Sequence, residues 1–209
     1  MKRCRIAILA KAPVAGLAKT RLAPALGEAG AASLAARLLA HAVAQAAAAD
    51  LGAVTLWTTP DASHPAFVQA QRQHGVALAV QAGADLGARM AQAFADAFAQ
   101  ANGPVLLMGT DAPGLDAALL RQAAAALQSH EVVFVPAHDG GYALVGLRAA
   151  PPSLLAALFS GMRWSTPQVM AQTRQRLAAA GIAHAELPGV ADIDEPADLQ
   201  HLPLCFLDR

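Results

Sequence analysis

Val132-Val133-Phe134-Val135-Pro136-Ala137-His138-Asp139-Gly140-Gly141-Tyr142-Ala143-Leu144-Val145-Gly146-Leu147 sets two apolar runs end to end with only a polar turn between them. Asp-Gly-Gly is turn chemistry, because glycine accepts the positive φ that a tight reversal needs. Val132–Pro136 reads as a buried strand, and Tyr142–Leu147 as a weaker one that follows through a hairpin or a reversal. No helix intervenes, so the sheet is mixed at this point.

Outward from that stretch the pattern is regular. Arg5–Ala10, Val54–Thr58, Val76–Gln81 and Val105–Met108 are short apolar runs bounded by Gly, Pro or Asp, and Ala183–Leu187 is a weaker run of the same kind. Between the runs lie alanine-rich stretches of helical composition: Glu28–Ala49, His64–His74, Leu86–Ala101, Leu115–Gln128 and Pro167–Ala180. In the first of these, Leu34, Leu38 and Leu39 recur at helical spacing. Strand–helix alternation predicts a largely parallel sheet with helices on both faces. No repeat or linker interrupts the chain, so residues 1–209 read as one domain.

Composition narrows the function. Hydrophobic residues are 56% and charged residues 14% of the 209, which excludes a disordered chain. The 15 basic and 15 acidic side chains cancel, so a broad nucleic-acid footprint is not expected. Cys4 and Cys205 lack metal-ligand spacing and suit a reducing compartment. The basic start Met1-Lys2-Arg3-Cys4-Arg5 leads only into Ile6–Ala10 before Lys11 ends the apolar run, too short for an export signal. No stretch of about 18 apolar residues runs without a charge or polar break. A cytoplasmic protein without membrane partners is expected. The seven histidines show no zinc spacing, and neither a Gly-x-Ser-x-Gly elbow nor a Gly-x-Gly-x-x-Gly turn occurs.

Ligands of open α/β sheets sit beyond the carboxyl ends of the strands, so the polar segments that follow the strands carry the chemistry. Lys11-Ala12-Pro13-Val14-Ala15-Gly16-Leu17-Ala18-Lys19-Thr20-Arg21-Leu22 puts three cations and a glycine in a dozen residues. Gly16 permits close backbone approach, and Lys11, Lys19 and Arg21 can neutralise phosphate; a solvated loop is the plainer reading. Asp111, in Gly109-Thr110-Asp111-Ala112-Pro113, stands at the end of a core strand as a metal ligand, or as a cap or turn residue. Asp139, Gly140 and Gly141 are a hairpin turn or a loop that touches acceptor or nucleotide. In Asp192-Ile193-Asp194-Glu195-Pro196-Ala197-Asp198-Leu199, capping accounts for Asp194 and Glu195 and leaves Asp192 over. Asp192 is therefore offered as a second metal ligand, with Asp194 as its rival. Gln81, Asp85, Gly87 and Arg89 can serve a base or ribose, while Asp85 also fits a helix N-cap.

In order along the chain, Lys11-x-Pro13-x-x-Gly16-x-x-Lys19-Thr20-Arg21-Leu22, Asp85-Leu86-Gly87-x-Arg89-Met90, Gly109-Thr110-Asp111-x-Pro113, Asp139-Gly140-Gly141-Tyr142, Trp164-Ser165-Thr166 and Asp192-Ile193-Asp194-x-Pro196-x-Asp198-Leu199 resemble a small bacterial transferase family. That family carries the label of arsenosugar-biosynthesis glycosyltransferases and is associated with radical-SAM proteins. The resemblance spans about Ile6 to Leu199. It is similar in turn to the phospholactate guanylyltransferases and the molybdenum-cofactor nucleotidyltransferases. The resemblance implies a GT-A fold, a Rossmann-type sandwich like that of the nucleotide-diphospho-sugar transferases, with Mg2+ or Mn2+ at Asp111 and Asp192. It further implies phosphate contacts from Lys19 and Arg21 and a base-binding segment near Gln81, Asp85 and Gly87. Ala112 and Glu195 depart from the pattern, which has Cys or another small residue and Thr there.

Three functions are carried forward. The first is glycosyl transfer from a sugar nucleotide to a small acceptor. The second is nucleotidyl transfer from a nucleoside triphosphate to a phosphorylated small molecule, and the third is nucleotide binding without turnover. An alanine-rich surface is compatible with a homodimer.

Overall fold

The computed structural model describes residues 3–203 and residue 206. Met1, Lys2 and Cys205, which entered the sequence reading, lie outside the described residues. Seven strands form one sheet: β1 (Arg5–Lys11), β2 (Val54–Thr59), β3 (Ala77–Val80), β4 (Val105–Met108), β5 (Val132–Pro136), β6 (Tyr142–Leu147) and β7 (His184–Glu186). Their spatial order is β3-β2-β1-β4-β6-β5-β7. All neighbouring pairs are parallel except those made by β6, which runs antiparallel to both β4 and β5. The reversal read at Asp139-Gly140-Gly141 thus turns the chain into β6, the strand that makes the sheet mixed.

Six helices cover the two faces: α1 (Ala23–Ala48), α2 (Pro65–His74), α3 (Leu86–Gln100), α4 (Ala117–Ala126), α5 (Pro152–Phe159) and α6 (Val169–Ala179). Side chains alternate across each strand, so Ile6, Ile8 and Leu56 join Val43, Phe67 and Leu120 of α1, α2 and α4 on one face. Trp57, Leu107 and Phe134 join Phe94, Phe159 and Leu177 of α3, α5 and α6 on the other. The second face is the aromatic one. Phe94 stacks on Phe159 with centroids 5.8 Å apart, and truncating such a buried ring to alanine costs about 3–5 kcal/mol.

Helix starts follow local chemistry. Asp85 accepts from Ala88 N at 2.8 Å to cap α3, and Asp116 accepts from Leu119 N at 2.7 Å to cap α4. The helix expected over Glu28–Ala49 begins earlier, at Ala23, but Gly27 breaks it at φ 70° and ψ 163°, so regular helix does resume near Glu28. Helix α5 is absent from the sequence reading; Pro152 occupies its first helical turn, where no donor is missed. Thr20–Ala48 is long and apolar enough to cross a membrane by length and composition. Alanine supplies much of its hydropathy, it contains Glu28 and Arg37, and Leu34, Leu38, Leu39 and Val43 are buried in the fold.

Candidate functional site

The carboxyl ends of β1 and β4 and the chain beyond β7 converge on one lysine. Leaving β1, the loop closes on itself: Lys11 Nζ donates to Leu17 O at 2.8 Å, and Leu17 N and Ala18 N both donate to Val14 O, at 3.0 and 2.9 Å. Gly16 turns at φ 76°, and a Cβ there would lie 3.2 Å from a Glu28 carboxylate oxygen. Lys19 follows in the left-handed region, φ 49° and ψ 42°, which a non-glycine residue adopts at a cost. That backbone turn sends the side chain inward, where it is 6% exposed.

The Lys19 ammonium makes three contacts at 2.7 Å: Asp111 Oδ1, Asp194 Oδ1 and Ile193 O. Burial opposes its charge, but the Asp111 and Asp194 carboxylates outweigh burial and hold Lys19 above the ordinary lysine range. The lysine is fully protonated and all three of its donors are matched.

How residues 192–194 reach β4 from β7 is a matter of backbone bonding. Past β7, Leu187 N donates to Phe134 O and Val190 N to Pro136 O, and His138 N donates to Val190 O. Ile193 N then donates to Asp111 O at 2.9 Å. The segment is laced first to the end of β5 and then to the end of β4, passing the start of β6. Ile193 is buried between the two acidic residues it separates.

Capping falls to Glu195, one of the two residues the sequence offered, as half of a reciprocal capping box: its side chain accepts from the Asp198 backbone, while Asp194 N and Glu195 N donate to Asp198 Oδ2 at 3.0 and 2.7 Å. The Asp194 carboxylate is thereby released for Lys19. Asp192 has no cation partner among the described residues. Burial first, then the nearby Asp139 charge, with Asp194 and Asp198 behind, pushes its carboxyl up to about 6. Asp139 itself is occupied in accepting from Gly141 N at 2.7 Å. Its turn is clamped: Met170 N donates to Gly140 O, and a Cβ on Gly140 would come within 2.1 Å of Pro167 O.

The remaining expected site residues are placed less centrally. Arg21 is exposed and lies 3.9 Å from Glu195. Gln81 Nε2 donates to Ala10 O and Trp57 O, tying the ends of β1 and β2 together. Asp85 is the α3 cap, and Arg89 Nε reaches back to Gly83 O at 3.3 Å. Gly87 is packed where a Cβ would stand 2.4 Å from Phe159 O and 2.7 Å from Trp164 Nε1. The structure thus brings together Lys19, Asp111, Asp192, Asp194 and Asp139, and leaves Lys11, Arg21, Gln81, Asp85 and Arg89 at the rim or in structural bonds. Sequence reading gave Asp198 no role, although its position three residues after Glu195 at a helix start was the signal for one. The Trp164 Nε1 and Tyr142 hydroxyl donors are buried here without partners.

Hard carboxylate oxygens around this cleft suit a divalent cation of the magnesium or manganese type. Among the described residues no three acidic or histidine groups stand close enough to form a complete protein cage. One or two carboxylates with substrate phosphates and water making up the rest is the ordinary arrangement for magnesium.

A family model described as "Uncharacterized protein conserved in bacteria (DUF2064)" matches residues 39–166. Among solved structures, a protein of Desulfovibrio desulfuricans G20, provisionally named a nucleotide-diphospho-sugar transferase, is 31% identical with a TM-score of 0.84; the match covers 95% of this chain and 85% of that one. Rv0371c of Mycobacterium tuberculosis, in its complex with manganese, is 17% identical with a TM-score of 0.57, over 96% of this chain and 98% of the other. The 4-diphosphocytidyl-2C-methyl-D-erythritol synthase of Anaerococcus prevotii is 10% identical with a TM-score of 0.65, over 99% of both chains. The last two likenesses concern the fold. No curated protein matches the chain.

Proposed function

We propose, for a chain that belongs to the DUF2064 family, a divalent-metal-dependent transferase activity on a nucleotide-activated donor, with glycosyl transfer from a sugar nucleotide to a small acceptor as the leading reaction. The observation that carries this reading is the convergence of Lys19, Asp111, Asp194 and Asp192 at the carboxyl ends of the strands. The name given to the Desulfovibrio desulfuricans relative and the manganese bound by Rv0371c support it. So does the resemblance to the arsenosugar-biosynthesis glycosyltransferases.

Both glycosyl and nucleotidyl transfer place negative charge on a departing phosphate group. Asp111 and Asp192 are the residues that would hold Mg2+ or Mn2+, which when bound supplies a fixed positive charge to the phosphate oxygens. Lys19, kept charged by Asp111 and Asp194, adds a second cation at the same place, and Arg21 on the exposed rim meets the outer phosphate. Asp139 and the clamped Gly140-Gly141 turn face Asp192 from the other side and define where the acceptor approaches. No protein nucleophile is needed. Cys4 fits that view, since burial pushes its thiol up to about 12 and it stays protonated.

A second reading, nucleotidyl transfer with release of pyrophosphate, is favoured by one observation: the loop after β1 carries Lys11, Lys19 and Arg21, more cation than a diphosphate needs. Thermal-shift measurements with sugar nucleotides and nucleoside triphosphates, with and without Mn2+, separate the two. Metal-dependent stabilisation by a sugar nucleotide, followed by release of nucleoside diphosphate on adding acceptor, supports the first. Stabilisation by a single triphosphate with pyrophosphate as product replaces it with the second, and no shift with any nucleotide removes both.

A further inference from the structure

Opposite this site, toward the amino end of the sheet, the aromatic face is incompletely covered. Helix α3 packs over β4 and β1 and leaves the β2–β3 margin bare. The result is a groove of about 480 Å³ lined by Thr55, Trp57, Ala77, Ala79, Asp96 and Gln100. It shares Thr55, Trp57 and Gln100 with an inner recess of about 10 Å³, which Arg5, Ala7, Ala97 and Val105 complete. Alanines at positions 7, 77, 79 and 97 are what keep this space open.

Two donors line the recess without acceptors: Arg5 Nε and Trp57 Nε1, both buried and unbonded. The far end of the Arg5 guanidinium donates through Nη2 to Ala101 O, where α3 ends, and no carboxylate pairs with it among the described residues. A buried donor with no acceptor is unfavourable, and for a guanidinium the missing partner is most simply an anion. The recess has room for about one oxygen-sized atom. A water there satisfies hydrogen bonds but leaves the charge unneutralised and does not account for the groove beyond.

We propose that this groove binds a small monocarboxylate with a flat or short apolar body, whose carboxylate takes the Arg5 Nε and Trp57 Nε1 donors while the body lies along Ala77 and Ala79. Asp96, held by Gln92 Nε2 at 2.7 Å, lines the groove at its open side and repels a carboxylate there, so the head group goes inward. The site lies at the start of β1, whereas the Lys11–Leu22 loop leaves its end, so such a ligand binds together with a nucleotide rather than in place of it.

Calorimetric titration of the whole chain with benzoate and hexanoate, against benzamide and hexanamide as neutral counterparts, tests the charge requirement. The expected result is saturable one-to-one binding, with each acid about tenfold or more tighter than its amide. Emission of Trp57, isolated by Trp164→Phe in a chain with two tryptophans, should change along the same curve. Ala97→Leu fills the recess and should abolish binding; Arg5→Lys keeps a charge, loses the Nε donor, and should reduce the acids to the level of the amides. Both variants should keep the wild-type circular dichroism spectrum and a single cooperative melt, which shows that they fold. Equal binding of acid and amide, absence of saturable heat with all four probes, or undiminished binding in folded Ala97→Leu overturns the proposal.

Discussion

Lys19 and Asp192 sit on two sides of one cleft and show opposite electrostatic designs. Around Lys19 the protein supplies its own counter-charges, and all three ammonium donors are matched. Around Asp192 burial and the charges of Asp139, Asp194 and Asp198 outweigh a backbone hydrogen bond, so that group rises to about 6. The first arrangement is complete without a ligand; the second is relieved only by a proton or a cation. The difference separates a lysine held by its own counter-charges from a carboxylate that has none, and under the proposed function it is Asp192 that would gain most from a divalent ion.

The largest effect that can break this division comes from Asp111→Ala, which touches both functions at once. Turnover should fall about a thousandfold or more, the scale of losing a principal charge-stabilising group. The circular dichroism spectrum should stay unchanged, because Asp111 is half exposed and its backbone bond to Ile193 survives. Near-wild-type turnover with Mn2+ present would remove Asp111 from the metal site.

Lys19→Met comes next and isolates the matched pocket. Removing this buried cation leaves two carboxylates facing each other. Discounted for the 47% and 39% exposure of those carboxylates, the loss in urea denaturation should be about 2 kcal/mol. An unchanged urea midpoint would mean that the ion pairs do not hold the cleft together.

Asp192→Asn should do the reverse and stabilise the metal-free chain. The folded carboxyl titrates near 6 against 3.8 when unfolded, so between about pH 4 and 6 the folded state binds more protons than the unfolded one. Stability from this group is therefore lost as pH rises through that window, and above it the variant should be the more stable. The full shift corresponds to roughly 3 kcal/mol, which partial exposure reduces to about 1 kcal/mol. Thermal melts of variant and wild type at pH 4 and 7.5 read the effect, and Mn2+ should raise the wild-type midpoint but not that of Asp192→Asn. A variant melting below the wild type at pH 7.5 would contradict the unmatched pocket.

The smallest effect is expected at Arg21→Ala. Glu195 faces Arg21 across 3.9 Å with both side chains about two-thirds exposed, so urea midpoints should agree within about 0.5 kcal/mol.

Much of this architecture is legible in the chain. Alternating apolar runs and alanine-rich stretches specify the helices and strands, and Asp139-Gly140-Gly141 marks the reversal that makes the sheet mixed. Asp85 is readable as a cap because its carboxylate lies three residues from the amide it serves. What resisted reading is non-local. Lys19 looks like one of three loop cations, and nothing near it in sequence says that its partners lie 174 and 175 residues away. The same distance hid the role of Asp194, whose carboxylate goes to Lys19 while Glu195 and Asp198 share the cap. Helix α5, eight residues from Pro152 to Phe159, is too short to show a helical period as the longer alanine-rich stretches do.

The tie between residue 19 and residues 193 and 194 also sets an order of events during synthesis. By the time α1 to α6 have emerged from the ribosome, Lys19 and Asp111 are both present, yet the second carboxylate and the Ile193 carbonyl are still to come. Contacts this distant in sequence close late, after the nearby ones have formed. The newborn chain thus acquires its sheet before it acquires its cleft, and a polypeptide interrupted short of Asp192 carries most of the scaffold with an unfinished charge cluster at its mouth.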